Sequence, residues 1–417
     1  MTPSPPASAM LARIEEYVGR ELRKARIPGG AVAVMCGDEP LLLKGIGQTG
    51  LSSDSKPVTP DTLFQIGSLT KGFTAMAVLQ LRDRGLIDLA APVQRYLPWF
   101  RVADPAASAR MTVQHLIDQT SGLPNGAWKV GLDNPSLRVA VERLKMVKLL
   151  SPPGEKWSVA FDPLGRQGRE WARPHVLQLG RMSEIAVTDD PWAVPGGLGP
   201  ACSVTDLARW AACHLGDGTG RVLSAASLAE SHAGAADPGI AGGHYGRGWF
   251  NMTFCGSRLV FNHGGTAGYS SVICMLPDEN LAVAALLNCS AGIAMKLGLN
   301  VVRILKGQAP DVPDVFPDFG RVFSAVIATL GVLGALLLGG LAAGAALGWR
   351  LPAWLGWALG VVADLCWALP GGLKRNYMMP LPFPMNVGPA GWPLNLVLVW
   401  WAFLVGLSGW ALYGILL

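Results

Sequence analysis

The chain has 417 residues, of which 50% are hydrophobic and 15% charged, with a formal net charge of +5. That charge is mild and dispersed, with no basic run, so nucleic acid is not an expected partner. The scarcity of charge is local: from Val322 onward the charged side chains are Arg350, Asp364, Lys374 and Arg375, whereas the preceding residues have the composition of an ordinary globular domain.

Met1–Pro6 has neither the basic region nor the apolar run of a secretory signal peptide. Leu11, Ile14, Val18 and Leu22 then recur at i, i+3/i+4, with Glu15, Glu16, Arg20 and Lys24 around them, and predict an amphipathic surface helix. After Ile27-Pro28-Gly29-Gly30 come two strand-like runs, Ala31–Cys36 and Leu41–Ile46. The seven cysteines (36, 202, 213, 255, 274, 289 and 366) show neither C-x-x-C pairing nor zinc-site spacing and read as free thiols. No metal and no cofactor is expected.

The most informative segment is Phe64-Gln65-Ile66-Gly67-Ser68-Leu69-Thr70-Lys71. A serine hydroxyl becomes a useful nucleophile when a nearby base takes its proton. With Ser68 opening a helix, Lys71 lies three residues on along the same face, within reach of that hydroxyl. The helix N-terminus adds free N–H groups and positive dipole where negative charge develops. A second S-x-x-K, Ser53-Asp54-Ser55-Lys56, sits among Pro, Ser and Asp and reads as a loop. Context favours Ser68, because an apolar lead-in precedes it and Phe73, Met76, Ala77, Val78, Leu79 and Leu81 continue a helix.

Further helical patterns cover Val113, Leu116 and Ile117, and then Leu137–Leu150. Strand-like runs follow at Gly246–Phe250, Leu259–Phe261, Ser270–Met275 and Leu281–Leu287, with a last helix over Ala291–Leu305 and a Pro- and Asp-rich hinge at Gln308–Asp318. Strands from both ends of the domain predict an α/β fold: one antiparallel sheet covered by terminal helices, beside an all-helical insert. His263-Gly264-Gly265-Thr266 opens one strand, where two glycines allow close backbone approach. The Thr266 N–H, with that of Ser68, could form an oxyanion hole. The other histidines (115, 175, 214, 232 and 244) read as structural or exposed.

The tail is built for lipid. Val322–Trp349 is an uncharged run longer than the roughly 20 residues that span a bilayer. Spans are expected near 322–348, 351–373 and 392–417, with several tryptophans near the interfaces. Gly340, Gly344 and Gly348 form a stripe suited to close helix packing, including between copies in a homo-oligomer. Asp364 is either a functional carboxylate or part of a polar notch. The domains are therefore 7–307, a linker at 308–321, and a membrane region at 322–417.

Five ordered segments carry a family resemblance: Phe64–Lys71, Thr120-Ser121-Gly122-Leu123-Pro124, Pro152-Pro153-Gly154-Glu155-Lys156-Trp157-Ser158, Asp206-Leu207-Ala208-Arg209-Trp210 and His263-Gly264-Gly265. Over about residues 10–305 the chain resembles the serine β-lactamase class C and penicillin-binding-protein-like family. The resemblance implies Ser68 as the acylated nucleophile, Lys71 as its base partner, and His263-Gly264-Gly265 in the place of the K-T-G element. With three spans behind it, the chain is similar to membrane-tailed, prodrug-activating peptidases of the colibactin type. That implies an inner-membrane enzyme with a periplasmic catalytic domain and a small acyl-peptide or ester as substrate; an esterase or β-lactamase activity is an alternative. Lys374 and Arg375, between the second and third spans, argue instead for a cytoplasmic loop there, and with it a cytoplasmic N-terminal domain.

One family element is missing. A Tyr-x-Asn motif is expected after Trp157-Ser158, but Val159-Ala160-Phe161-Asp162 follows, and no tyrosine occurs between Tyr96 and Tyr245. Residues 158–195 read as shortened or replaced, through a deletion or a shifted frame. Loss of one proton-transfer group would cost about 10²–10⁴ in rate, so a degenerate member that binds acyl-peptides or cell-wall fragments without turnover is the competing reading.

Overall fold

Leu11, Ile14, Val18 and Leu22 are buried along one face of the first helix, α1 (Pro5–Ala25). Fully burying a side chain such as Ile14 contributes about 1.5–3 kcal/mol. The computed structural model describes residues 5–124, 137–157, 172–178, 181–184, 200–215, 222–234, 236–240, 242–266, 268–289 and 292–313. Contacts divide the chain into two units, residues 1–176 with 182–317 and residues 177–181 with 318–417. The elements of the fold belong to the first, apart from Leu177, Gln178 and Arg181 of one hairpin.

The described strands are β1 (Gly29–Cys36), β2 (Glu39–Gly47), β3 (Phe64–Gln65), β4 (His175–Gln178), β5 (Arg181–Glu184), β6 (Ala201–Cys202), β7 (His244–Gly246), β8 (Trp249–Phe254), β9 (Ser257–Thr266), β10 (Tyr269–Leu276) and β11 (Leu281–Leu287). The helices after α1 are α2 (Thr70–Asp83), α3 (Val93–Tyr96), α4 (Pro105–Arg110), α5 (Val113–Ile117), α6 (Leu137–Arg143), α7 (Val204–Ala212), α8 (Ala225–Ser231) and α9 (Ile293–Leu305).

The main sheet has the order β2-β1-β11-β10-β9-β8-β7, and every pairing in it is antiparallel. The first two strands of the chain thus join the last, as expected for an α/β sheet closed by both ends of the domain. Successive side chains alternate between its faces. Ala31, Ala33, Met35, Ile273 and Ala284 pack with Phe64, Ile66, Leu207 and Trp210 in one core. α1 and α9 cover the sheet from the two ends of the domain. The insert has a core of its own, built from Val93, Phe100, Val102, Ala107, Met111, Leu123 and Val147.

Two predicted boundaries change. The run Gly246–Phe250 is not one strand: Arg247 (φ 51°) and Gly248 (φ 86°) both adopt left-handed backbone and turn the chain between β7 and β8. Leu137–Leu150 is helical as far as Arg143 and then tightens into a 3₁₀ turn at Leu144–Met146. The six described cysteines are free thiols, with Cys274 and Cys289 buried and Cys36 exposed.

The hinge that follows α9 begins as a fixed segment. Buried Asn300 donates to the Val312 carbonyl (3.1 Å) and accepts the Val312 N–H (2.9 Å), while Arg303 pairs with Asp311 (2.8 Å). Among the described residues no helix is long and apolar enough to cross a membrane. The expected spans at 322–348, 351–373 and 392–417 lie outside the described residues, as do Asp364 and the glycine stripe.

Candidate active site

The nucleophile segment is anchored before it reaches Ser68. Phe64 and Gln65 pair with Cys202 and Ala201, and the Ile66 N–H donates to the Pro200 carbonyl (3.1 Å). Gly67 then takes φ +53°, a conformation glycine adopts without a Cβ penalty. A 3₁₀ turn over Gly67–Leu69 carries Ser68 directly into α2. Lys71 Nζ donates to Ser68 Oγ at 3.0 Å, and both residues are partly exposed. The sequence-predicted pair is therefore formed. The competing Ser53–Lys56 stretch lies in a turn and irregular chain, with Asp54 paired to Arg173.

One of the other segments positions this pair directly. Asp206–Trp210 lies in α7, where the Ser203 hydroxyl accepts the Asp206 N–H (3.1 Å) and the Asp206 carboxylate reciprocates. Its Trp210 stacks on Phe73 of α2 (centroids 3.7 Å apart) and on Trp249 (5.2 Å). That ring lies across Gly72, where a Cβ would stand 2.8 Å from it, so α7 fixes the turn carrying Lys71. Thr120–Pro124 holds the following loop: Gly154 N–H donates to the Thr120 carbonyl and Leu150 N–H to the Gly122 carbonyl, each at 2.8 Å. That loop ends on Trp157, whose ring packs edge-on against Tyr245 (5.4 Å) and Phe250 (6.0 Å). The expected Tyr-x-Asn position and most of 158–195 lie outside the described residues.

β9 forms the wall opposite Ser68. A Cβ at Gly264 would run into the Ile66 carbonyl oxygen, so the missing side chain allows this contact. A Cβ at Gly67 would come within 2.8 Å of the Gly265 nitrogen and 3.0 Å of its oxygen. In a strand the N–H and C=O of one residue point to the same side, and its neighbours point the other way. Gly265, exposed to solvent, therefore turns its amide toward the Ser68 turn. Thr266, paired with Tyr269 across the β9–β10 hairpin, turns its amide toward β10. By the parity of the hairpin, the Gly265 amide rather than the expected Thr266 amide lies beside the Ser68 turn. Thr266 contributes its hydroxyl instead, donating to Gln65 Oε1 (2.9 Å).

His263 stacks on Phe250 (5.9 Å) within the aromatic group that includes Trp157 and Tyr245. Burial pushes its pKa down to about 4, and the Lys71 charge adds to the shift, so its imidazole is neutral at neutral pH. Asn262, one residue earlier, was not singled out by the sequence. Its side chain donates to the carbonyls of Ser68 (3.0 Å) and Gly248 (2.8 Å). A polar residue preceding a short Gly-Gly strand opening was the available signal.

Of the histidines read as structural or exposed, three are structural. His214 Nδ1 meets His232 Nε2 at 2.9 Å, both rings buried beside Trp249. His175 is a fully buried residue of β4, its Nδ1 at 3.1 Å from the Asn288 carbonyl.

Comparison with known proteins agrees with this arrangement. The beta-lactamase family model matches residues 12–305. Penicillin-binding protein 4 of Amycolatopsis lactamdurans is 28% identical over 341 residues, covering 70% of this chain and 88% of that protein. Esterase EstB of Burkholderia gladioli is 34% identical over 179 residues, covering 38% of this chain and 45% of EstB. In fold, the octameric penicillin-binding protein homologue from Pyrococcus abyssi superposes with a TM-score of 0.62 at 20% identity, covering 72% of this chain and 78% of the homologue. With its serine–lysine pair formed at the start of α2 and its sheet closed by both ends of the domain, this chain belongs to the beta-lactamase family of serine hydrolases.

Proposed function

We infer that this protein is a membrane-anchored hydrolase that cleaves a small acyl-peptide or ester through an acyl-enzyme on Ser68. The observation that carries this reading is the 3.0 Å hydrogen bond from Lys71 Nζ to Ser68 Oγ on a partly exposed helix start. Ser68 Oγ attacks the substrate carbonyl carbon while Lys71, acting in its neutral amine form, takes the hydroxyl proton. The negative charge that develops on the carbonyl oxygen is held by the amides of Ser68 and Gly265. Lys71 returns the proton to the leaving amine or alcohol as the scissile bond breaks. Water then attacks the Ser68 ester, releasing the acid and restoring the hydroxyl. His263, neutral in its aromatic setting, orients the substrate from the β9 side, and Gly264 and Gly265 let the acyl group lie close to the strand.

The apolar tail after residue 321 supports inner-membrane anchoring, and the order of domain and tail supports a peptidase of the prodrug-activating type with its catalytic domain in the periplasm. A second reading rests on the segment after Trp157, which lacks the family's tyrosine: a protein that binds acyl-peptides without turning them over.

A fluorophosphonate probe applied to full-length protein in membranes tests the nucleophile. Labelling is expected in the native protein and absent in Ser68→Ala; labelling that persists in the mutant overturns the assignment. Hydrolysis of an aryl ester and of N-acyl-D-aminoacyl peptides then separates the two readings. Turnover above the Ser68→Ala background supports the hydrolase, and binding without turnover supports the second reading.

A further inference from the structure

The turn that carries Ser68 is held by side chains at each of three successive carbonyls. Ile66 C=O accepts from Ser271 Oγ (2.7 Å), Gly67 C=O from Thr70 Oγ1 (2.7 Å) and Ser68 C=O from Asn262 Nδ2 (3.0 Å). Asn262 is 3% exposed, and its carboxamide is used at both ends. Nδ2 donates its second hydrogen to the Gly248 carbonyl (2.8 Å), and Oδ1 accepts the His263 N–H (2.7 Å). The flipped amide would set its oxygen against two carbonyl oxygens, so the partners fix which atom is nitrogen.

Gly248 is not a neutral anchor. A Cβ there would stand 2.6 Å from the Gly72 nitrogen and 2.7 Å from the Lys71 carbonyl carbon. Its backbone thus lies against the peptide that follows Lys71. One side chain therefore ties the backbone of the nucleophile to the strand turn that abuts the backbone of its lysine partner. Ser68 and Lys71 are separated by a helical turn that could otherwise loosen independently of β8 and β9.

We propose that Asn262 is a positioning residue, which sets the Ser68–Lys71 distance by clamping the Ser68 carbonyl and Gly248 to β9. The proposal rests on the acyl-enzyme reading for its kinetic consequence and on the hydrogen bonds alone for its structural one. Asn262 does not touch the reacting atoms. Its contribution is to the orientation of the nucleophile, and displacement by about 1 Å costs on the order of 10²-fold in rate.

The test compares full-length native protein with Asn262→Ala and the near-isosteric Asn262→Asp, which presents oxygen to both carbonyls. Hydrogen–deuterium exchange over residues 66–72 is expected to quicken at least about tenfold in both variants, as a lost buried hydrogen bond loosens the turn. With a fluorophosphonate probe, the maximal acylation rate is expected to fall about 10- to 100-fold, with little change in the half-saturating probe concentration. Exchange within twofold of the native protein overturns the proposal, as does a loss confined to the half-saturating concentration. Unfolding of both variants also overturns it, because a residue that only positions the nucleophile leaves a folded domain. Faster exchange in variants of a native protein that takes no label leaves the clamp standing and removes the hydrolase reading instead.

Discussion

His214 and His232 are titratable side chains that the acyl-transfer chemistry leaves unused, and they make the fold sensitive to acid. Burial, followed by the neighbouring His232, holds the His214 pKa well below its usual value; burial, followed by Arg258, brings His232 down to about 4. His263 is depressed to the same region. A histidine with a folded-state pKa below its unfolded value binds fewer protons when folded. Its stabilising contribution is therefore complete above about pH 6.5 and is lost as pH falls toward 4. For His232 alone the difference amounts to at most about 3 kcal/mol. The melting temperature is expected to drop steadily between pH 7 and pH 4, and His232→Gln, which keeps a neutral hydrogen-bonding group beside His214, is expected to flatten that slope. Equal slopes for the two proteins in thermal melts would remove His232 from the account. Asp54, lowered to about 2 by its bond to Arg173, acts only in a more acidic window.

At the scale of elements, the proposed acylation rests on the seam between β9 and the Ser68 turn. Gly264 packs against the Ile66 carbonyl and Ser271 Oγ, so a methyl group there must push the strand away from the turn. Gly264→Ala is expected to destabilise the domain by about 1–3 kcal/mol and to slow acylation, both measurable by chemical denaturation and probe labelling. Stability within about 0.5 kcal/mol of the native protein would show that the seam yields easily. Most of this architecture was legible in the sequence. Ser68 and Lys71 are three residues apart, in a 3₁₀ turn that runs directly into α2, so local spacing was enough to pair them. The strands β1, β2, β10 and β11 carry long apolar runs, and their bounds were found within a few residues. What was not legible depends on distant partners or on strand parity. Asn262 meets a carbonyl 194 positions away. Which amide of His263–Thr266 faces the nucleophile is decided by the hairpin after Thr266, and a shift of one residue exchanges the two sides of the strand. The Arg247-Gly248 turn was hidden because apolar residues flank it, although Gly248 itself was a signal for a break.

For the whole molecule, the question is how a hydrolase domain is joined to an apolar tail. The domain ends in an anchored segment. Asn300 takes both the N–H and the C=O of Val312, its Nδ2 also reaches the Tyr17 hydroxyl (2.8 Å), and Arg303 holds the Ala309 carbonyl (2.6 Å) and Asp311. These bonds tie the start of the linker to α1 and α9 as far as Val312. The residues matched to the family end at 305, and the anchoring partners lie between 17 and 312. A chain stopped after Pro313 therefore keeps every described element and every described contact of the linker, while losing the whole apolar tail. It is expected to fold, to take the fluorophosphonate label and to remain in the supernatant after ultracentrifugation. The full-length chain is expected to pellet with membranes and to resist extraction by alkaline carbonate, because spans of this length are held by burial in hydrocarbon rather than by charge. Release of the full-length protein by carbonate would remove the membrane anchor from the proposal, and would leave the Ser68–Lys71 site on a domain whose apolar tail serves another purpose.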